Sequence, residues 1–169
     1  MLSLLRRAWW RVLFGQKNEW DCLALSFLKN GSSILDIGCG NGYSTLKFAE
    51  MYPKTNFLGV DYSQPMISMA KIALGRTKIK NVRFQVGNIL DLKPVGSDFD
   101  IVLSERCLID LANWDEDQRA IMEMKSVMST HGKMVLVENF IEGLDNLNKL
   151  RRLFDLPAIT TRWHNHYLP

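Results

Sequence analysis

Short apolar segments alternate with amphipathic segments along this chain, and that alternation limits the folds that it can adopt. The segments typical of buried strands are 34–38, 56–61, 81–88, 98–105 and 133–139. Helical patterns occupy 43–52, 63–75, 115–130 and 142–154. Such alternation predicts an α/β fold, a doubly wound, Rossmann-like parallel sheet with helices on both faces. With no linker and no second core, we predict one domain over 17–169.

Composition narrows the function classes. The 169 residues are 47% apolar, which is enough for a real core, and no apolar run approaches the length of a membrane span. Residues 1–20 hold four basic residues against Glu19, which accounts for the net charge of +3. The remaining 17 basic and 17 acidic residues argue against a dedicated nucleic-acid surface, although a few contacts to a nucleic-acid substrate remain open. Three scattered cysteines without a C-x-x-C suit a reducing, cytoplasmic location.

The N-terminal residues 1–16 predict a basic amphipathic helix, with three arginines on one face and leucine and tryptophan on the other. We interpret this segment as a helix that packs on the domain. A peripheral membrane contact by residues 1–15 is an alternative, as are a transit peptide and a partner-binding helix. A second helix is expected over 17–29.

A glycine-rich loop joins the first strand to the first helix. Gly38, Gly40 and Gly42 stand at alternate positions, where glycine permits a tight turn and lets a ligand approach the backbone. Asp61 ends the second strand, 19 residues after Gly42, where a carboxylate can accept both hydroxyls of a ribose. We expect Ser63, not Asp61, to cap the next helix. Together these residues predict a ligand that contains adenosine.

Two further positions bear on which adenosine ligand is bound. Tyr43 stands where the nicotinamide fingerprint G-x-G-x-x-G requires glycine, which argues against a nicotinamide oxidoreductase. Asp36 precedes the first glycine, and a carboxylate there suits a zwitterionic amino acid that carries a sulfonium. A pyrophosphate would instead need free amides at a helix start.

Three segments in order, ILDIGCGNG, FLGVDYSQPMISMAK and FQVGNILDL, resemble the cofactor motifs of class I S-adenosylmethionine-dependent methyltransferases. The resemblance covers roughly residues 20–140. It implies S-adenosylmethionine as the cofactor, S-adenosylhomocysteine as its product, and no metal. The cofactor-binding residues that it implies are Asp36, Gly38, Cys39, Gly40, Gly42, Asp61, Tyr62, Met66, Gly87, Asn88, Ile89 and Ser104.

The resemblance also assigns roles to these residues. The glycines would pass beneath the cofactor with Asp36 near its amino group, and Asp61 would hold the ribose. The adenine would be bordered by Tyr62 and Met66 and contacted by Asn88 and Ile89, while Ser104 would approach the methionine moiety through its backbone. Many family members have aspartate at the position of Asn88, and an uncharged amide should bind the adenine amine more weakly.

The candidate catalytic residues are Glu105, Arg106 and Glu138, because ligands of open α/β sheets bind at the carboxyl ends of the strands. Methyl transfer from a sulfonium depends mainly on alignment, and a base is needed only for an acceptor that keeps its proton. Glu105 and Glu138 are candidate bases or acceptor-positioning groups. Their alternatives are a salt bridge for Glu105 and capping of the next helix for Glu138. Arg106 would orient an acidic substrate or brace its loop, and Cys107 is interpreted as a packed apolar residue.

The C-terminal region departs from the family pattern. The family usually has seven strands and only five are found here, so we expect the last two strands to be missing and the strand at 133–139 to be an exposed edge. The chain would then be a natural short form, a form that pairs with a second copy through this edge, or a fragment of a longer chain. His164 and His166 lack a third ligand, so we predict no metal site, and Tyr167 is interpreted as a packing or pocket residue. We predict a methyltransferase for a small-molecule acceptor. The alternative is a cofactor-binding, catalytically silent module that acts through partners.

Overall fold

The computed structural model describes residues 31–161 and 167–169. The predictions for 1–16, for 17–29 and for the pair His164 and His166 lie outside these residues. The strands are β1 (Ser33–Ile37), β2 (Asn56–Asp61), β3 (Val82–Val86), β4 (Phe99–Glu105) and β5 (Met128–Val137). The α-helices are α1 (Tyr43–Met51), α2 (Gln64–Gly75), α3 (Trp114–Ser126) and α4 (Ile141–Arg152).

The five strands form one parallel sheet, as the alternation of segments predicts. The structure adds the strand order, which is β3-β2-β1-β4-β5. The chain starts in the middle at β1, builds outward to β3, and then returns to add β4 on the other side of β1. The direction of building therefore reverses between β1 and β4. In open α/β sheets, ligands bind in the crevice that opens at the carboxyl ends of the strands at this point.

Both faces of the sheet are buried, which explains why its central strands are almost continuously apolar. On one face, Phe57 and Phe84 pack in a cluster with Phe48 of α1 and Ile67 of α2. The other face, which includes Leu35, Val60 and Val102, is covered by Met124 of α3 and by the loops after β3 and β4. The cores of the two faces together hold the strands so that their carboxyl ends form a common rim.

The connection between β3 and β4 contains no α-helix, and the sequence predicts none between 88 and 98. A 3₁₀ turn over Lys93–Val95 takes the place of a crossover helix. Pro94 lies within that turn and Gly96 ends it with a φ of 110°. Leu92 and Val95 are buried, so the loop itself covers this part of the sheet.

The boundary between α3 and β5 differs from the prediction. The pattern predicts a helix over 115–130 and a strand over 133–139, whereas α3 ends at Ser126 and β5 begins at Met128. Met128 pairs with Phe99, and the register then shifts before Lys133 pairs with Ile101. Pairing with β4 has overridden the local helical pattern, and the extra residues form a bulge.

The C-terminal residues return to the sheet. Leu168 pairs with Phe140 in a parallel bridge, and its N–H donates to the Asn139 carbonyl oxygen at 2.9 Å. Only 2% of Leu168 is exposed, so this residue completes the core beyond β5. Within 31–161 and 167–169, β5 pairs only with β4, and no helix is long and apolar enough to cross a membrane.

Candidate active site

The glycine loop is tied to β2 by its backbone. The N–H groups of Gly38 and Cys39 both donate to the carbonyl oxygen of Val60, at 2.8 and 3.1 Å. Gly38, Gly40 and Gly42 have φ values of 73°, 54° and 75°, in the left-handed region that favours glycine. A Cβ on Gly40 would have no heavy atom within 4 Å, so the middle of the loop borders open space.

The Phe84 ring forms the support beneath this loop. A Cβ on Gly42 would lie 2.6 Å from Cζ of Phe84, and a Cβ on Gly59 would lie 2.5 Å from its Cδ1. Neither Gly59 nor Phe84 is among the residues predicted from the sequence. A glycine inside a buried strand was the available signal, because such a glycine often marks a close approach of another group.

Asp61 links the end of β2 to the glycine loop. Its Oδ2 accepts from the Gly40 N–H and its Oδ1 from the Ser63 N–H, both at 2.8 Å. Each carboxylate oxygen has a further lone pair, so the group can accept two more donors such as ribose hydroxyls. Ser63 caps α2, since its Oγ accepts from the Met66 N–H at 3.4 Å. The capping prediction is therefore confirmed, and ribose binding by Asp61 stays a prediction.

Asp36 is buried directly before the loop, with 6% of its surface exposed. Its Oδ2 accepts a hydrogen bond from Oγ1 of Thr45, in the first turn of α1. This contact anchors α1 to β1. The predicted position of Asp36 near the cofactor's amino group is not tested by the contact.

The predicted adenine contacts fall into two groups. Tyr62 is 79% exposed and Met66 is 43% exposed, so both are open to a ligand beside Asp61. Ile89 packs in the core, and Oδ1 of Asn88 accepts from the Leu90 N–H at 2.9 Å. The amide oxygen that would accept from adenine is thus already engaged once. One lone pair of that oxygen is left to accept from adenine.

Gly87 joins the adenine side to β2. Its N–H donates to the carbonyl oxygen of Asp61 at 3.1 Å, and a Cβ there would lie 2.6 Å from Cγ1 of Val60. Glycine at this position therefore lets β3 end close against β2. Packing alone therefore explains why glycine is needed at position 87, whether or not a ligand binds there.

Glu138 binds the loop after β4. Its Oε1 accepts from Oγ of the fully buried Ser104 at 2.8 Å, from the Cys107 N–H at 3.1 Å and from the Leu108 N–H at 3.3 Å. It does not cap α4, whose N-cap is Phe140 without a side-chain hydrogen bond. The alternative interpretation of Glu138 as a helix cap is therefore wrong, since the carboxylate reaches across to β4.

The carboxyl group of Glu138 is largely shielded from solvent. Burial raises the pKa of its carboxyl group, although hydrogen bonds from Ser104, Leu108 and Cys107 act in the opposite direction. Its Oε2 is buried and has no hydrogen-bond partner. Burial, together with the Glu138 charge, raises the pKa of the Cys107 thiol to about 12, so this cysteine stays protonated at neutral pH.

The other two candidate catalytic residues lie at the start of the same loop. Glu105 ends β4 and is half-buried, whereas Arg106 is exposed. Arg106 has a φ of 53°, and its N–H donates to the Val137 carbonyl oxygen at 2.9 Å. The backbone of Arg106 therefore braces the loop against β5, which leaves its exposed guanidinium at the rim.

The strand order brings the predicted residues to one rim. The ends of β1, β2, β4 and β5 supply the glycine loop, Asp61, Glu105 and Glu138 in turn. The open space at Gly40 and the available lone pairs of Asp61 fit an adenosine-bearing cofactor such as S-adenosylmethionine. Over the described ranges, 31–161 and 167–169, no three His, Cys, Asp or Glu residues are grouped to hold a metal ion.

Comparison with known proteins identifies relatives. A model of the methyltransferase domain matches residues 28–162. The uncharacterised protein RP028 of Rickettsia prowazekii is 35% identical over 72% of this chain and 48% of its own length. An uncharacterised methyltransferase of Schizosaccharomyces pombe is 32% identical over 64% of this chain and 40% of its own. The chain thus spans about half the length of the curated relatives it matches.

Solved structures share the fold. The YcgJ protein of Bacillus subtilis superposes with a TM-score of 0.63 at 24% identity, over 78% of this chain and 56% of that one. PKMT2 from Rickettsia typhi, solved in complex with AdoHcy, has a TM-score of 0.63 at 29% identity, over 76% of this chain and 25% of that one. Because the family model covers most of the chain, the protein belongs to the class I S-adenosylmethionine-dependent methyltransferases.

Proposed function

We propose that this protein binds S-adenosylmethionine at the rim formed by β1, β2 and β4, and transfers a methyl group to an oxygen, nitrogen or carbon of a small-molecule acceptor. The observation that carries the proposal is the position of Asp61. Its two oxygens are fixed by backbone donors of the glycine loop and of the turn before α2. A carboxylate held in this way can receive two hydroxyl groups without having to be ordered first.

The acceptor would lie above β4 and β5. Bound S-adenosylmethionine supplies an electrophilic methyl group on a sulfonium, and the residues of the chain need mainly to align the acceptor and exclude water. Because Oε1 of Glu138 already accepts three hydrogen bonds, we propose that this residue positions the loop after β4. Glu105 remains the candidate base, and the exposed Arg106 would orient an acidic acceptor.

The names of the relatives support methylation but point to different acceptors. Similar proteins include a malonyl-[acyl-carrier protein] O-methyltransferase from Bacillus cereus, at 30% identity, and a demethylmenaquinone methyltransferase from Lactococcus lactis, at 28%. A small-molecule acceptor is therefore our own proposal. The rival is a module that binds the cofactor without turnover and acts through partners.

Three associated proposals concern context. The scattered cysteines suit a cytoplasmic location. The edge of β5 would allow a second copy to pair, and residues 1–15 would contact a membrane surface. Light scattering of the unmodified protein at high concentration tests the pairing, and a clean monomer would remove it. Vesicle sedimentation with and without residues 1–15 tests the membrane contact, and equal partitioning would remove it.

The first experiment measures S-adenosylhomocysteine binding by calorimetry. We expect micromolar binding by the unmodified protein, a loss of at least tenfold in Asp61→Ala, and no change in the exposed control Asp145→Ala. Failure of the folded, unmodified protein to bind would reject the cofactor site. Binding without turnover across an acceptor screen would favour the silent module.

A further inference from the structure

The charges of the described chain are divided between the two sides of the sheet. Residues 31–86 form β1, β2, β3, α1 and α2, and they carry seven basic and three acidic residues. Residues 87–137 form β4, α3 and β5, and they carry five basic and nine acidic residues. In the sheet, β1, β2 and β3 lie on one side, and β4 and β5 lie on the other. The neutral total therefore conceals a basic half and an acidic half.

A groove of about 990 Å³ lies on the basic half, between α1 and residues 73–81, which end α2 and lead to β3. Its lining includes the apolar side chains Leu46, Ala73 and Ile79. Lys78 and Lys80 also line it, and both are exposed. The groove therefore combines an apolar lining with cationic groups, and it is concave.

The other two charged residues of the groove, Lys47 and Glu50, leave its net charge positive. Lys47 also lines the groove, and its Nζ lies 3.4 Å from Oε2 of Glu50. Both side chains are more than half exposed, so the ion pair is weak and can be replaced by another carboxylate. Among the lining residues that the structure describes, Glu50 is the one acidic residue.

We infer that this groove binds an acidic segment of a partner protein, one that carries apolar side chains among its carboxylates. Apolar anchors of such a segment would be buried against Leu46, Ala73 and Ile79, as in other helix-in-groove complexes. Its carboxylates would pair with Lys78 and Lys80, and this complementarity would favour acidic partners over basic ones.

Charge and shape distinguish this occupant from others. Residues 1–20 of the chain itself are basic, with four basic residues and one acidic residue, and so do not complement the groove. A phosphodiester backbone would match the lysines but offers no apolar side chains to the lining, and a flat bilayer does not match a concave surface. A second copy of the chain could enter only through its acidic half.

The groove reaches the cofactor loop at one end. Asn41 and Tyr43 line it, and they flank Gly42 of the glycine loop. The candidate residues of the acceptor side, Glu105 and Glu138, do not line it. A bound segment would therefore leave the carboxyl ends of β4 and β5 open. The inference does not depend on the proposed methyl transfer.

The test uses a fluorescein-labelled peptide made of three Glu-Leu-Leu-Glu repeats, with a Lys-Leu-Leu-Lys version as the charge control. Fluorescence anisotropy should show binding of the acidic peptide only, weakening as salt rises. The double variant Lys78→Glu/Lys80→Glu should bind it at least tenfold more weakly. The matched control, Lys93→Glu/Lys125→Glu, changes two exposed lysines of the acidic half and should bind within twofold of the unmodified protein.

A second variant separates shape from charge. Ala73→Phe would fill the groove with its charge unchanged, and we expect it to weaken peptide binding as well. Circular dichroism and S-adenosylhomocysteine binding should stay unchanged in both groove variants, so failure here is distinguishable from failure of the cofactor site.

Three results would overturn the inference. One is equal peptide binding by the groove and control variants. Another is tighter binding of polyuridylate with the same dependence on Lys78 and Lys80, which would make the groove a nucleic-acid surface. The third is a dimer by light scattering that these variants dissociate, which would make the occupant a second copy.

Discussion

The two sides of the candidate site are built in different ways. On the cofactor side, the glycine loop is held by backbone and side-chain contacts from the adjacent strand β2, such as Gly40 N–H to Asp61 at 2.8 Å. On the acceptor side, the loop after β4 depends on Glu138, which is 34 residues away from Ser104 in the chain. The first arrangement distributes its support over many backbone groups. The second relies on the half-buried Glu138, together with the hydrogen bond from the Arg106 N–H to Val137.

The helices on the two sides also differ in how much of their surface they bury. Helices α1 and α2 each contribute buried residues to the core, whereas α4 contributes none. Leu153 and Phe154, directly after α4, are 78% and 69% exposed. Among residues 31–161 and 167–169, α4 is therefore the helix that buries no face, and apolar side chains are exposed directly after it.

The largest expected effect is in the glycine loop. Gly42→Val would place a β-branched residue at a φ of 75° and its Cβ 2.6 Å from Phe84 Cζ. We expect a loss of about 3 to 5 kcal/mol in the free energy of unfolding, from the left-handed backbone and overpacking together. Urea denaturation would measure it. Gly40→Ala is the matched control and should lose only about 1 to 2 kcal/mol, because its Cβ meets nothing; equal losses would contradict the packing argument.

A smaller loss is expected at the C-terminal contact of the acceptor side. Leu168→Ala removes a side chain that is 2% exposed, and it should lower the free energy of unfolding by about 3 kcal/mol. Leu153→Ala, at an exposed position, should change it by less than about 0.5 kcal/mol. Similar values for the two leucines in thermal or urea denaturation would show that Leu168 does not complete the core.

The pH dependence of stability should report on Glu138. Because burial raises the pKa of Glu138, the folded protein keeps the proton over a pH range in which the unfolded chain has lost it. Stability contributed by this group is therefore lost as the pH rises through that range. Glu138→Gln cannot titrate, so its free energy of unfolding should increase relative to the unmodified protein from acidic to neutral pH.

Urea denaturation over a pH series would measure this difference. The exposed control Asp155→Asn should show no such trend. A difference between Glu138→Gln and the unmodified protein that stays constant or falls with pH would mean that the carboxylate is stabilised as a charge. The acceptor side would then be held more firmly than we describe.

The smallest expected effect is at the groove of the cofactor side. Glu50→Gln removes an exposed ion pair with Lys47 and should change the free energy of unfolding by less than about 0.5 kcal/mol. It should nevertheless strengthen binding of the Glu-Leu-Leu-Glu peptide, because it removes the acidic residue of the groove. Weaker peptide binding in this variant would contradict the charge argument.

The cofactor side could be predicted from sequence because its signals are local. Alternate glycines, a carboxylate at the end of the next strand and Ser63 as the cap of α2 all lie in order along the chain, and the strand and helix bounds there agree with the structure. The resemblance to methyltransferases rests on the same segments, and the family match confirms it. The predicted roles of the individual cofactor-binding residues stay predictions.

The acceptor side could be predicted less well. The register shift between β4 and β5 and the hydrogen bonds of Glu138 both involve residues that are distant in sequence. The early end of α3 follows from the pairing of β5 with β4. No periodic pattern records such contacts. Net charge likewise did not predict the basic and acidic halves, because a sum over the chain carries no information about which half of the sheet a residue joins.

The sequence by itself determined the α/β class, the parallel sheet and the glycine loop, because hydrophobic period, glycine conformation and helix caps act within a few residues. Only the tertiary structure decided that Phe84 supports the loop, that Glu138 holds the turn after β4, and that a lysine-lined groove lies between α1 and residues 73–81. These features arise from packing between segments that the fold brings together. Their energies therefore depend on distances in space that the order of residues does not specify.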